Sequence, residues 1–247
     1  MRILREKGAA GERTGDAKAH GGGPAVSAGS CAEAAGKGNE ARGEAAAAGR
    51  GRILIIACGA LAREIMDLKR QLGRADIDLH CLPATWHNTP RHIPEGVRAR
   101  IRQARAEGYD RIFVAYGDCG TGGRLDEVLG EEGVDRLPGA HCYAFLTGNE
   151  RFLAEAERDA RSFFLTDYLV RHFDRLIWQG LMLDAHPELI RDCFGNYERL
   201  VYLAQRDDPE LDALAREAAR RLGLSYERRV VGYGDLEVAL KTLAGQE

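Results

Sequence analysis

Short apolar runs alternate with amphipathic segments along the chain from Arg52 onward. An unbroken apolar run is typical of a strand buried on both faces of a parallel sheet. Apolar residues that recur about every three to four positions are typical of a helix packed on such a sheet. The run at 53–57, Ile-Leu-Ile-Ile-Ala, predicts a strand, and the leucine-rich segment after it predicts a helix that ends at Gly73. The pattern therefore predicts an α/β protein with a mostly parallel sheet and helices on both faces.

The same pattern predicts further strands and a helical insertion in the middle of the chain. The further strands are expected at 77–82, 111–116, 134–137, 200–204 and 229–231. Helical spacing dominates from about 149 to 197, where Phe163 and Phe164 add to the aromatic content. Residues 51–247 are therefore expected to form a single α/β domain with a sizeable core.

Residues 1–50 have a different composition from the rest of the chain. They contain 14 Ala and 11 Gly, no aromatic residue and few large apolar side chains. Such a segment buries too little apolar surface to offset the entropy lost on ordering it. The sequence therefore predicts a disordered Ala/Gly-rich tail over 1–50.

Composition and charge narrow the class of protein. The chain of 247 residues is 45% hydrophobic and 30% charged, as soluble globular proteins are, and its formal net charge of −3 disfavours unspecific nucleic-acid binding. Its longest apolar run, Ile53 to Cys58, is far shorter than the roughly 20 residues of a membrane span. With no secretion signal, we expect a cytoplasmic protein that acts on a small molecule without nucleic acid or membrane.

Four of the six cysteines stand where predicted strands end. Carboxyl ends of parallel strands meet at one edge of a sheet, where α/β proteins bind ligands, so these thiols are expected to converge. Packing alone gives no reason to place thiols at strand ends. The four are Cys58, Cys81, Cys119 and Cys142, and His80 and His141 directly precede two of them.

Thiolate and imidazole ligands suit Zn²⁺ or an iron–sulfur cluster. Three ligands from separate strands would leave a coordination position open, as in catalytic zinc sites. Cys58, Cys119 and one of the pair His141-Cys142 are the first choice; either Cys81 or His80 comes second, because neighbouring strand residues point to opposite faces. A redox or nucleophilic thiol, and simple packing, remain alternatives. Cys193, in a helical segment, is expected to be a buried packing residue.

The glycine-rich turn after the third predicted strand is a second candidate for chemistry. Backbone N–H groups of Gly120, Thr121 and Gly122 suit an anionic substrate group such as a carboxylate. Asp118 is a candidate general base, or a carboxylate that orients a histidine ligand. The alternatives are a tight turn that needs glycine for its geometry and a helix-capping role for Asp118.

Two polar loops are candidates for substrate contacts, because such contacts are usually made by loops. The first contains His87 and Asn88, and the second contains Asn196 and Tyr197. Local turn hydrogen bonding by the two asparagines is the alternative explanation.

Six short strings carry a resemblance to a known family. They are Ala57-Cys58-Gly59-Ala60-Leu61, His80-Cys81-Leu82-Pro83, His87-Asn88, Tyr116-Gly117-Asp118-Cys119-Gly120-Thr121-Gly122, His141-Cys142-Tyr143 and Gly195-Asn196-Tyr197. Over about 52–243 the chain resembles the family known as domain of unknown function 1638. Members are encoded near corrinoid proteins and methyltransferases of methylated amines, so the resemblance implies a role in one-carbon metabolism.

The resemblance and the cysteines together suggest one chemistry. Methylcobamide methyltransferases activate a thiol on zinc held by one His and two Cys, although their His-x-Cys spacing is missing here. We therefore expect a zinc-dependent enzyme, a metal-dependent methyltransferase, or an accessory factor in corrinoid-linked methyl transfer that works with a corrinoid protein. An iron–sulfur protein and a non-catalytic module that delivers metal or corrinoid are the alternatives.

Overall fold

The first half of the chain forms a four-stranded parallel sheet in the order β2-β1-β3-β4, in a computed structural model that describes residues 51–245. Strand β1, with its unbroken apolar run, lies inside the sheet and is buried along almost its whole length. The strands are β1 Ile53–Cys58, β2 Ile77–Leu82, β3 Arg111–Ala115 and β4 Asp135–Arg136. The expected tail at 1–50 lies outside the described residues.

The second half forms a separate three-stranded parallel sheet in the order β5-β6-β7. The α/β class and the parallel strands are thus confirmed, but the strands are divided between two sheets. The strands are β5 Ser162–Thr166, β6 Arg199–Ala204 and β7 Ser225–Val230.

Strand β5 lies inside the segment for which the sequence predicts a helical insertion, so that prediction is wrong over 162–166. The two phenylalanines on this edge strand point to opposite faces, as strand geometry requires. Phe163 packs edge-to-face against Phe194 and at a tilt against Tyr197, whereas Phe164 contacts Tyr143. An edge strand with an aromatic ring on each face has no clear period of two, which is why its pattern does not differ from that of a buried helix.

Helices connect the strands and cover both sheets. Residues 51–245 contain no helix that is both long enough and apolar enough to cross a bilayer. The helices are α1 Ala62–Gln71, α2 Ile93–Ala106, α3 Arg124–Glu132, α4 Cys142–Thr147, α5 Asn149–Ala154, α6 Ala156–Asp159, α7 Asp167–Arg171, α8 Leu189–Phe194, α9 Pro209–Leu222 and α10 Gly234–Leu243. Short 3-10 helices cover Gly59–Leu61, Ala84–Asn88 and Pro90–His92, and a π-helical turn covers Asp174–Trp178.

The last described helix returns to the first sheet. Leu236 and Leu240 of α10 are fully buried in the same apolar cluster as Ile53 and Ile55 of β1. The helix packs on α1 and α4, while a separate apolar cluster fills the second half. Helix α10, from the end of the chain, is therefore part of the core of the first half. The single domain expected over 51–247 stays a prediction.

A buried carboxyl group lies where the two halves meet. Glu64 of α1 is buried, and its Oε2 atom has no hydrogen-bond partner. Desolvation, and then the negative charges of Asp167 on α7 and of Asp67, raise the pKa of Glu64 to about 7, against the favourable charge of Arg206. The contact between the halves therefore includes a carboxyl group that binds its proton more tightly than an exposed glutamate does.

Candidate functional site

A cavity lies at the carboxyl edge of the first sheet, where this edge faces the second half. Cys58 ends β1, the loop 116–119 follows β3, and Cys142 begins α4; all of them line the cavity. From the second half, Tyr168 and Leu169 of α7 complete the wall. The strand-end positions thus bring together three thiols that are far apart in sequence.

The three thiols interact with one another. Cys119 and Cys142 are hydrogen-bond partners, and Cys58 is close enough for its acidity to depend on the charge of Cys119. The buried hydroxyl of Tyr116 lies beside the Cys58 sulfur and has no conventional hydrogen-bond partner. The floor of the cavity therefore contains three thiols and an unpaired hydroxyl.

The three thiols differ in acidity because their surroundings differ. The hydrogen bond from the Cys142 thiol, together with the backbone N–H groups of Cys142 and Gly117, lowers the pKa of Cys119 despite its burial. The same hydrogen bond and burial raise the pKa of Cys142 well above its usual range. Desolvation, and the nearby Cys119, raise the pKa of Cys58 to about 11. Of the three thiols, Cys119 is therefore the one whose surroundings favour the thiolate.

Backbone contacts fix Cys119 against the segment before α4. The N–H of Cys119 donates to the carbonyl of Ala140 at 2.8 Å, and Cys119 has a left-handed backbone with φ of 49°. Gly117 lies so close to this segment that a Cβ atom on it would be 2.9 Å from the Cα of His141. Glycine at 117 therefore allows the approach that brings the Cys119 and Cys142 thiols together.

The carboxylate of Asp118 is bound by its own turn. It accepts hydrogen bonds from the Thr121 hydroxyl at 2.6 Å and from the N–H groups of Gly123 at 2.8 Å and Gly122 at 3.1 Å. Partial burial acts to raise the pKa of Asp118, but these hydrogen bonds, and one from the N–H of Gly120, outweigh it and lower the pKa. The N–H groups considered for a substrate anion thus already hold an internal carboxylate; the roles proposed for Asp118, Gly120, Thr121 and Gly122 stay predictions.

Of the three candidate histidines, His87 lines the cavity, whereas His141 is exposed and His80 lies away from it. His87 lines the cavity, and its pKa is lowered by desolvation and by the nearby His141. His80 is close to Arg100 and Glu107, and desolvation followed by the charge of Arg100 lowers its pKa.

Of the neighbouring pair on β2, Cys81 is the residue on the side of the site. Its charge would affect the hydroxyls of Tyr116 and Tyr168, both of which line the cavity. His80 points instead toward α2, as alternation along a strand requires. Cys81, rather than His80, is therefore placed near the other three thiols.

The remaining predicted residues are divided between the cavity and the distant end of the second sheet. Asn88 lines an adjoining chamber, where its side-chain amide donates to the carbonyl of Leu176 at 3.4 Å. Asn196 is exposed at the start of β6, and Tyr197 packs on Phe163. Neither lines the cavity, and their proposed substrate contacts stay predictions. Cys193 is exposed, so the expectation of a buried packing residue is wrong.

Sequence reasoning did not find the tyrosines that surround the thiols. Tyr116 and Tyr143 adjoin cysteine motifs, which is a weak signal, whereas Tyr168 follows a strand that the sequence pattern did not reveal. Burial, and then the charge of Cys142, raise the pKa of Tyr143 well above its usual range. These rings therefore contribute neutral walls to the site.

The donor atoms are soft, but they do not form a finished ligand set. Within residues 51–245, no three side chains of His, Cys, Asp or Glu are already positioned around a common point that a metal ion would occupy. Thiols are nevertheless the ligands preferred by Zn²⁺ and by iron–sulfur clusters. Metal binding here would require the sulfur atoms to move closer by rotation of their side chains.

Comparison with known proteins gives one match. The family model described as a protein of unknown function, DUF1638, matches residues 81–240. No curated protein and no solved structure matches the chain. The match includes the loop 116–119 and the segment around Cys142, and it covers more than half of the chain. The chain therefore belongs to the DUF1638 family.

Proposed function

We propose that the cavity holds a zinc ion bound by Cys58, Cys119 and Cys142. The observation that carries the proposal is the convergence of these thiols, from three separate segments, on the floor of one cavity. His141, which directly precedes Cys142, and Cys81 are candidates for a further ligand. Three protein ligands would leave a position for substrate, as in catalytic zinc sites.

Zinc at this position would supply a Lewis acid that lowers the pKa of a bound water or thiol. The residues of the chain would provide the rest of the chemistry. Cys119 would contribute the first thiolate, since its pKa is the one that the site lowers. The rings of Tyr116 and Tyr168 would keep bulk water away from the reacting atoms. The site thus suits transfer of a small group to or from a thiol.

Methyl transfer is our proposal for the reaction class, because members of the DUF1638 family are encoded near corrinoid proteins and methyltransferases of methylated amines. In this proposal the protein works with a corrinoid protein in the metabolism of methylated amines, as a zinc-dependent methyltransferase or as an accessory factor. A module that only delivers metal or corrinoid would show metal binding without turnover. Assaying a methylated amine with a corrinoid protein would separate an enzyme from such a module.

An iron–sulfur cluster is the second candidate, and the position of Cys81 favours it. Cys81 does not line the cavity, but it is close enough for its charge to affect the Tyr116 hydroxyl, so a fourth thiol lies near the other three. Four thiolates are the usual ligand set of such clusters. Iron together with acid-labile sulfide, instead of zinc, would support this alternative.

Elemental analysis of anaerobically purified protein tests the proposal. We expect about one zinc per chain, and zinc affinity reduced by more than about tenfold in each of Cys58→Ser, Cys119→Ser and Cys142→Ser. Cys193→Ser is the matched control, because Cys193 is exposed and does not line the cavity. Full zinc retention in the double variant Cys58→Ser, Cys119→Ser would refute the proposal.

A further inference from the structure

The cavity consists of two adjoining chambers. The inner one, next to the thiols, has a volume of about 30 Å³, and the outer one has about 150 Å³. They lie side by side, because Ala84, His87, Leu169 and Leu176 line both. The inner chamber has room for very few atoms, since a single water needs at least about 10–15 Å³. The bulk of a ligand would therefore occupy the outer chamber.

Neither chamber is lined by any Asp, Glu, Lys or Arg among the described residues. This is unusual for a cleft in a chain in which 30% of residues are charged. The outer chamber is lined mainly by carbon atoms, including the rings of Tyr143 and Phe163 and the side chains of Ile177 and Leu181. The polar side chains among its lining residues are those of His87, Asn88 and Tyr143, and none of them is a carboxylate, an ammonium or a guanidinium.

This lining selects against a charged ligand. An ionic group in the outer chamber loses hydration and meets no Asp, Glu, Lys or Arg side chain among the described residues of the wall, which makes its transfer from water unfavourable. Attraction between a cation and the aromatic rings of the wall offsets only part of this loss. An anion that loses its hydration also finds no free N–H donors at Gly122 and Gly123, because these two groups already donate to the Asp118 carboxylate.

We propose that the outer chamber binds the uncharged, aliphatic part of a small thiol, whose sulfur points into the inner chamber toward Cys58, Cys119 and Cys142. The orientation of the sulfur rests on the proposed zinc site, whereas the preference for an uncharged ligand rests on the lining alone. The lining of the outer chamber disfavours phosphorylated and carboxylated substrates.

Three probes of similar size test the charge preference. They are 1-propanethiol, which is neutral, 2-aminoethanethiol, which is a cation, and mercaptoacetate, which is an anion. We expect 1-propanethiol to bind the full-length protein at least about tenfold more tightly than either charged probe, measured by isothermal titration calorimetry. Equal or tighter binding of a charged probe would overturn the inference.

A designed charge in the wall provides the matched test. Ala84→Asp places a carboxylate in the lining shared by both chambers, and we expect the preference to move at least about tenfold toward 2-aminoethanethiol. Thr85→Asp is the control, because Thr85 is exposed and lines neither chamber, so it should leave the preference unchanged. Leu181→Asp, in the outer chamber, replaces Ala84→Asp if that variant does not fold. An unchanged preference in a folded wall variant would contradict the inference.

The two proposals fail separately. Titrating the metal-free protein with the same probes measures the charge preference without zinc. Comparing 1-propanethiol with 1-propanol measures the contribution of the sulfur. If the protein binds no zinc but still prefers 1-propanethiol to the charged probes, the zinc proposal fails and the uncharged chamber stands. If zinc is present and 1-propanethiol binds no better than 1-propanol, the orientation of the sulfur is wrong.

Discussion

The thiols of Cys119 and Cys58 differ in acidity although they lie at the same cavity. Hydrogen bonds to the Cys119 sulfur lower its pKa, whereas burial raises the pKa of Cys58 to about 11. Because the thiolate is the nucleophile, iodoacetamide at pH 7.5 should modify Cys119 before Cys58. Peptide mass spectrometry at successive times measures the order.

The exposed Cys193 is the internal reference for this alkylation. Replacing the donor thiol, in Cys142→Ala, should slow the reaction of Cys119 at this pH, because one of the hydrogen bonds that stabilise its thiolate is lost. The reaction at Cys193 should not change. Faster modification of Cys58 than of Cys119 in the parent protein would contradict the assignment of Cys119 as the more acidic thiol.

At the scale of single residues, the sequence predicted positions better than orientations. The cysteines were found because carboxyl ends of parallel strands must meet, which is a property of backbone topology. The inward turn of the Asp118 carboxylate depends on the conformation of four successive residues, and no spacing rule reports it. The exposure of Cys193 likewise depends on how α8 packs, which its local pattern does not determine.

At the scale of elements, the approach of the loop 116–119 to the start of α4 depends on Gly117. In Gly117→Ala, the new Cβ would lie 2.9 Å from backbone atoms of His141, so one of the two segments must move. We expect a loss of about 1–3 kcal/mol in the free energy of unfolding, measured by urea denaturation. Weaker zinc binding should accompany it, because Cys119 and Cys142 would separate.

Gly130→Ala is the matched control for this substitution. Gly130 lies within α3, and a Cβ atom there would meet no atom within 4 Å. Alanine in a helix interior should stabilise the protein by about 0.5–1 kcal/mol. Similar effects of the two substitutions on unfolding would contradict the packing described for Gly117.

The elements of the first sheet were predicted closely, and those of the second sheet less well. Strand β1 has an unambiguous apolar run, and β2 was predicted with its bounds as observed, 77–82. Strand β7 was expected at 229–231 but covers Ser225–Val230, because its first residues are polar and only partly buried. These residues form a strand because they pair with β6, and local composition does not predict that pairing.

At the scale of the whole molecule, Glu64 links stability to pH. Its pKa in the folded protein, about 7, exceeds that of an unfolded glutamate, so the folded state binds more protons between about pH 4.5 and 7. The contribution of Glu64 to stability is therefore complete below this range and is lost as the pH rises through 7. Glu64→Gln should stabilise the protein at pH 8 by up to about 3 kcal/mol and have little effect at pH 5.

Urea denaturation at the two pH values measures this difference. Glu150→Gln is the control, since Glu150 is exposed on α5 and should show no such dependence on pH. An equal effect of Glu64→Gln at pH 5 and pH 8 would show that folding does not raise the pKa of this carboxyl group.

The division of the strands between two sheets could not be predicted from the chain. Each half reads as strands alternating with helices, and a single sheet satisfies that alternation as well as two sheets do. The cavity depends on the division, because α7 of the second half closes the space above the thiols of the first. Sequence reasoning therefore found the thiols without finding the walls around them.

The return of α10 to the first sheet has a consequence for biosynthesis. Ile53 and Ile55 leave the ribosome long before Leu236 and Leu240, which cover them in the finished protein. During translation, this face of the first sheet lacks the cover of α10 until the whole second half has been made. A prematurely terminated chain would lack α10 and would expose the apolar residues that this helix covers. Chaperones and proteases would recognise these exposed residues.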